Sequence, residues 1–221
     1  MTYFVGIGNP FVDRFALVTD DFLQENNLVK NTTTVVNNKD FLESSWKNIR
    51  HQSGFILGGS CTNIIKALAC LDQKTRLIGK IGAGHLGKSL LKSLQCLGVT
   101  TFLSEASIEN GIVNCFITPD KKRTMLTYLG SSIELSKDDI LRAEKGFLDA
   151  GDVILEGYLA YYPETVMDLS IQLAKKNRAR ISLDLSSVKI TDNHLMHAQF
   201  ISWVQQVDLV FGNLQEMQGL T

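Results

Sequence analysis

The chain has 221 residues but only four cysteines and three prolines, and its formal charge is −1. Cys61, Cys70, Cys96 and Cys115 stand 9, 26 and 19 residues apart, so no Cys-x-x-Cys pair exists. That spacing argues against a zinc ribbon or a thioredoxin-type dithiol and reads as reduced thiols of a cytoplasmic protein. With so few prolines and 17 glycines, collagen-like and low-complexity readings fail. No apolar run approaches the ~18 residues of a membrane span. Pro10 and Asp13 interrupt the early apolar stretch before the first basic residue, Arg14, which is not the pattern of a signal peptide. A charge this close to zero excludes a broad electrostatic footprint for nucleic acid. The basic groups Lys121–Arg123 and Lys175–Arg180 are expected to be solvated surface.

What is present is ordinary for a globular protein: 44% hydrophobic and 20% charged residues. At roughly 150 residues per domain, the length fits one large domain. Short apolar runs alternate with helical periods. Strands are expected at Tyr3–Gly8, Thr32–Asn37, Phe55–Leu57, Arg76–Ile81, Thr100–Leu103, Val153–Glu156, Arg180–Asp184 and Asp208–Gly212. A hairpin is expected over Ile112–Thr118 and Arg123–Leu129. Helices are expected at Asp40–Gln52, Thr62–Leu71, Leu86–Leu97, Ser136–Phe147, Pro163–Asn177 and Asp192–Gln206, with another starting at Leu214. Such alternation predicts an α/β fold, a three-layer α/β/α sandwich around a mostly parallel sheet. Ligands then sit beyond the carboxyl ends of the strands, where Gly8-Asn9, Glu156-Gly157 and Gly212-Asn213 fall.

Two glycine-rich turns compete for the site. Gly82-Ala-Gly-His-Leu-Gly87 is a full G-x-G-x-x-G between an expected strand and helix, and Glu105 lies 18 residues beyond it. That is the form of a dinucleotide fingerprint and would make the protein an NAD(P)-dependent oxidoreductase. Its position counts against it, because about half a domain of α/β pattern precedes it. The other turn is Gly58-Gly-Ser-Cys-Thr-Asn63. A glycine pair at a strand end lets a ligand approach the backbone, and a following helix adds free N–H groups and the Asn63 amide. Gly8-Asn-Pro-Phe-Val-Asp13 supplies a carboxylate that can accept hydrogen bonds from adjacent hydroxyls. Elsewhere, His194 and His197 stand i, i+3 without a third ligand, and Trp46, Phe147, Phe200 and Trp203 read as packing residues. Asp184 ends a strand and serves equally as a turn residue or a neighbour of the site.

Taken in order, these segments resemble the ribokinase-like (PfkB) carbohydrate and nucleoside kinases, and most closely the adenosine-kinase-like branch. Gly8–Asp13 resembles the family's N-terminal substrate motif. Gly58–Asn63 with Ile78-Gly-Lys-Ile-Gly82 and Gly87 resembles its first signature, which absorbs the G-x-G-x-x-G. Arg123–Gly130 resembles the lid-to-core segment, Leu155–Tyr158 the next strand end, and Gly212-Asn-Leu-Gln-Glu216 the Asn-x-x-Glu motif. The sequence departs from the family where Cys61 and Ile65 replace small residues and Gly84 replaces an acidic one.

The resemblance implies one ribokinase-like domain over residues 1–221, with a small β lid made from residues 14–37 and 108–129. It implies transfer of the ATP γ-phosphate to a hydroxyl of a sugar or nucleoside. Asn9, Asp13, Gly58, Gly59, Ser60, Asn63 and Glu156 would bind the substrate. Arg123 would reach a phosphate from the lid, and Asn213 and Glu216 would organise Mg2+ through water. The family's second signature, which carries the catalytic base and the ATP anion hole, is expected beyond Thr221. The chain is therefore expected to hold the substrate part, to have little activity alone and to bind ATP poorly. Its partner would be a second copy of itself or a complementary C-terminal polypeptide, in keeping with a mean hydropathy of +0.04. A non-catalytic binding or pairing module is the remaining alternative.

Overall fold

The computed structural model describes residues 2–47, 49–50, 52–191, 193 and 197–220. Among the described residues, eleven strands form two sheets. The first contains β1 (Tyr3–Ile7), β5 (Thr75–Ile81), β6 (Thr100–Glu105), β9 (Ala150–Glu156), β10 (Arg180–Asp184) and β11 (Leu209–Phe211), in the order β11-β10-β9-β1-β5-β6. Every pair in it is parallel. All carboxyl ends therefore open on one edge.

Helices cover both faces. α3 (Ser60–Cys70) and α4 (His85–Cys96) lie on one, over β1, β5 and β6. α5 (Lys137–Arg142), α6 (Glu164–Lys176) and the short α7 (Val188–Thr191) and α8 (His197–Val204) lie on the other. The strand pleat explains this division. Val5 and Ile7, Val153 and Leu155, and Ile181 and Leu183 alternate inward to one face and form the largest core with Phe147, Phe200 and Trp203. The Trp203 indole N–H donates to Asp168 at 2.7 Å, tying α8 to α6. This is the three-layer α/β/α arrangement the alternation predicts.

The second sheet joins β2 (Phe11–Leu17), β3 (Thr33–Val36), β4 (Ile56–Gly58), β7 (Ile112–Ile117) and β8 (Arg123–Tyr128), in the order β3-β8-β7-β2-β4. Its buried face carries Val12, Ala16, Ile112, Phe116 and Leu126. α1 (Asp20–Glu25) and α2 (Lys39–Lys47) pack there, with Phe22 and Phe116 at 5.1 Å between ring centres and Leu42 fully buried. Its other face, with Asp13, Phe15, Leu17, Val113 and Met125, is open or half-open.

Several elements differ from the sequence reading. β2 and α1 have no expected counterpart. The expected helix Ser136–Phe147 divides into α5 and a 3-10 turn at Glu144–Phe147. There Gly146 lies so close to Ile78 that a Cβ would come within 2.9 Å of it. Ser136 does cap α5, its hydroxyl accepting from the Asp139 N–H in a reciprocal capping box. The helix expected from Thr62 starts at Ser60 and is capped by Gly59, at φ +105, not by a Thr or Asn side chain. His194 and most of the segment joining α7 to α8 lie outside the described residues. His197 Nδ1 stands 3.2 Å from the Thr191 carbonyl.

Candidate acceptor-binding site

The chain crosses between the sheets at four places beside the carboxyl edge, and each crossing holds glycine: Gly8, Gly58-Gly59, Gly111 and Gly130. Each is required by close approach, most sharply at Gly58 and Gly111. A Cβ on Gly58 would fall 2.1–2.3 Å from the Asp13 carboxyl atoms, so the carboxylate rests on bare backbone. A Cβ on Gly111 would strike the Phe11 ring at 2.3 Å.

Beside these crossings Asp13, Gly58, Gly59, Ser60 and Asn63 come together, with Asn63 exposed and Gly58 buried. Burial raises the Asp13 pKa, and the Lys66 ammonium partly offsets it. Lys66 also donates to Asn63 Oδ1 at 3.1 Å and to the Leu57 carbonyl. The Ser60 hydroxyl donates to Asp184 Oδ2 at 2.9 Å, and Ser186 donates to the same oxygen at 3.0 Å. Glu156 and Asp184 are register partners on β9 and β10, so two carboxylates stand side by side at the strand ends.

Beneath these residues lies a buried layer. Glu156 is 4% exposed and accepts from the Cys61 N–H at 2.9 Å, at the start of α3. Burial pushes its pKa up to about 7; the Cys61 and Asn9 amides lower it and the Asp184 charge raises it. Asn9 is 1% exposed and spends both ends of its amide inside. Its Oδ1 accepts from the Lys80 N–H at 2.7 Å, and its Nδ2 donates to the Tyr162 hydroxyl at 3.2 Å. Asn9 and Glu156 are thus buried and bonded inside the protein, while Asp13, Gly59, Ser60 and Asn63 keep some exposure.

Asn110, which the sequence reading did not single out, makes an equivalent tie. It is fully buried, accepts from the Gly82 N–H at 2.7 Å and donates to the Pro10 carbonyl at 2.9 Å. An Asn-Gly pair before a strand reads as a turn, and nothing in its spacing announces an amide pointing inward. The same bond answers the dinucleotide reading. The N–H groups of Gly82 and Ala83 go to Asn110 and to the Ile108 carbonyl. A Cβ on Gly87 would fall 1.9 Å from the Gly82 carbonyl oxygen. The first two amides of the glycine turn are thus already bonded within the protein. Cys61 and Ile65 also find their room in a glycine, since a Cβ on Gly6 would lie 2.6 Å from each.

Arg123 is not brought to the cluster. It starts β8 opposite Ile117, whereas Asp13 is level with Val113 and Thr127. Four residues of strand, about 13 Å, separate it from that level, and it is exposed. Asn213 and Glu216 flank the start of α9 (Leu214–Gln218) and bond to each other's backbone in a capping box, both at 2.9 Å. Among the described residues no group of three or more His, Cys, Asp and Glu gathers to hold a metal directly. The donor set of Asn213 and Glu216 consists of hard oxygens at an exposed helix start. It fits a hydrated magnesium held through water, and no closer coordination.

A parallel three-layer sandwich with a second sheet over its carboxyl edge, and a crevice of glycines and carboxylates between them, is the build of a small-molecule kinase of the ribokinase type. The chain matches the pfkB family carbohydrate kinase model over residues 30–221 and belongs to that family. It is 24% identical to adenosine kinase 2 of Arabidopsis thaliana, covering 96% of this chain and 62% of the relative. The adenosine kinase of Sinorhizobium meliloti superposes with a TM-score of 0.87 at 25% identity, over 99% of this chain and 67% of that one. A probable sugar kinase from Rhizobium etli CFN 42 does so at 0.87 and 26%, over 100% and 67%. The likeness therefore runs to the adenosine-kinase-like branch, and the chain spans about two thirds of the length of these relatives.

Proposed function

We propose that this chain forms the acceptor half of an ATP-dependent sugar or nucleoside kinase. The observation that carries this reading is the Asp13 carboxylate seated on the bare backbone of Gly58. An anionic acceptor beside two residues without side chains suits a pair of adjacent hydroxyls. Asp184 and Glu156 stand close by, so the crevice favours a neutral polyol over an anion. Binding there would orient one substrate hydroxyl toward the open side of the crevice. The second sheet would close over the ligand through its glycine crossings and exclude water. Tyr158, at the rim beside Glu156 and Asp184, is 37% exposed and offers a ring face to the non-sugar part of a nucleoside.

ATP supplies the phosphoryl group when bound, and magnesium would be organised through water by Asn213 and Glu216. No described residue is assigned as catalytic base. We infer low turnover by these residues alone, since a positioned base contributes ~10²–10⁴-fold to such a reaction.

The test is thermal unfolding of the chain with adenosine, ribose, Mg-ATP or NADH. Adenosine or ribose at 100 times its Kd should raise Tm by about 5–10 °C, and Asp13→Asn should abolish that rise. A rise with NADH alone, or one indifferent to Asp13→Asn, would sink the reading.

A further inference from the structure

Helix α3 carries a single charged residue, Lys66, in an otherwise apolar or small-residue stretch. A lysine on such a helix ordinarily runs its stem to the surface and leaves its ammonium in water. Here the ammonium turns back. Lys66 Nζ donates to the Leu57 carbonyl, beside β4, and to Asn63 Oδ1 at 3.1 Å. Asn63 lies three residues earlier on the same face of α3. Leu57 directly precedes Gly58, the glycine on which the Asp13 carboxyl rests. The ammonium thus ties β4 to α3 where Asp13 arrives from β2, and its charge acts on that carboxylate.

An ammonium has three donors and no acceptor. The end of the Asn63 amide that faces it is therefore the oxygen, and the end left for a ligand is the Nδ2 donor. Asp13, when ionised, offers only acceptors. Burial favours its neutral acid, and the Lys66 charge favours the carboxylate. The other neighbours of Asp13 do not supply that charge. From β7 the Cys115 thiol shares its face and is pushed toward the neutral form by burial. From β4 come only Ile56, Leu57 and Gly58. Arg123 on β8 acts on Cys115, from four residues of strand away.

We propose that Lys66 is a positioning residue of the acceptor site: it fixes the Asn63 amide with its nitrogen left to the ligand and sets a positive charge beside Asp13. The site then matches two neighbouring hydroxyls, one donating to Asp13 and the other accepting from Asn63. This deepens the acceptor-site reading and rests on it.

The test begins without ligand. The Asp13 carboxyl is titrated by carbon-13 NMR in the parent, Lys66→Met and Lys66→Arg, with Asp13→Asn to assign its signal. Lys66→Met should raise the Asp13 midpoint by about one pH unit, and Lys66→Arg should restore it. Calorimetry with adenosine and with ribose comes second. Lys66→Met should weaken binding about tenfold at pH 5.5 and less at pH 8, where Asp13 ionises without help, and Lys66→Arg should recover most of the loss. Asn63→Asp keeps an oxygen toward Lys66 but removes the donor, and should weaken binding about tenfold at both pH values. Lys66→Met keeps a good helix former at a half-buried position, so it should fold as the parent does. Circular dichroism checks this, and Lys66→Gln replaces it if it does not. An unchanged Asp13 midpoint in Lys66→Met would overturn the proposal. So would a binding loss equal at both pH values that Lys66→Arg does not recover, or full binding by Asn63→Asp. If neither adenosine nor ribose binds the parent, the acceptor-site reading fails, and the titration alone decides the role of Lys66.

Discussion

Glu156 carries a pH dependence written by its surroundings. Burial takes its pKa from the ordinary 4.5 to about 7, so folding favours its protonated form. The stability this contributes is complete below pH 4.5 and is lost as pH rises through about 7. The full swing is roughly 3 kcal/mol. Glu156→Gln should therefore unfold at a higher urea concentration than the parent at pH 8, with the difference vanishing near pH 5. Parallel pH profiles for the two proteins would show that Glu156 ionises normally. Sequence pattern identifies Glu156 only as a polar residue at a strand end. Its burial depends on the register that sets it beside Asp184 and on the Cys61 N–H reaching it from α3, and neither can be read from neighbours in the chain. The close approach at Gly58 and Gly59 was legible because glycine at a strand end announces it locally.

At the scale of elements, the capping boxes of α5 and α9 show local sequence and tertiary position in agreement. Asn213→Ala should cost about 1 kcal/mol and fray α9, seen as faster amide exchange over Leu214–Gln218 with β10 unchanged. Strands β1, β5, β10 and β11 and helices α3, α4 and α6 were legible within a residue or two, since their periods are regular and their faces apolar. By contrast, β9 starts three residues before its expected bound, and the expected helices Ser136–Phe147 and Asp192–Gln206 are shorter in the structure. α1 was not, although Thr19 caps it and Asp20 and Asp21 follow, because six residues are too short to display a period. β2 was hidden by Pro10 just before it and by the adjacent charges of Asp13 and Arg14, which break its alternation. Arg14 is nevertheless buried, held by a two-pronged bond to Glu43 at 2.8 and 2.9 Å.

For the whole molecule, what matters is how the two sheets are joined. Asn110 clamps the Pro10 crossing to the turn after β5, so removing its amide should loosen the second sheet as a body. Asn110→Ala leaves the Gly82 N–H and the Pro10 carbonyl without partners, each worth about 1–3 kcal/mol. Tm should fall by several degrees, and exchange should quicken in β2 and β7 more than in β5 and β9. Equal quickening everywhere would mean global destabilisation instead of a loosened joint. The fold class was readable from alternation alone. The partition into a fixed sheet and an overlying one was not, because strands of both kinds share composition and only their pairing separates them. The strand order has a further consequence for how the protein is made. β1 emerges first and lies in the middle. Val5 pairs with Arg76 on one side and, much later in synthesis, with Val153 on the other. From β9 onward each new strand joins the outside of the one before it. The ribosome can thus release a growing sheet whose finished part never has to reopen, and whose newest strand is always the one on the rim.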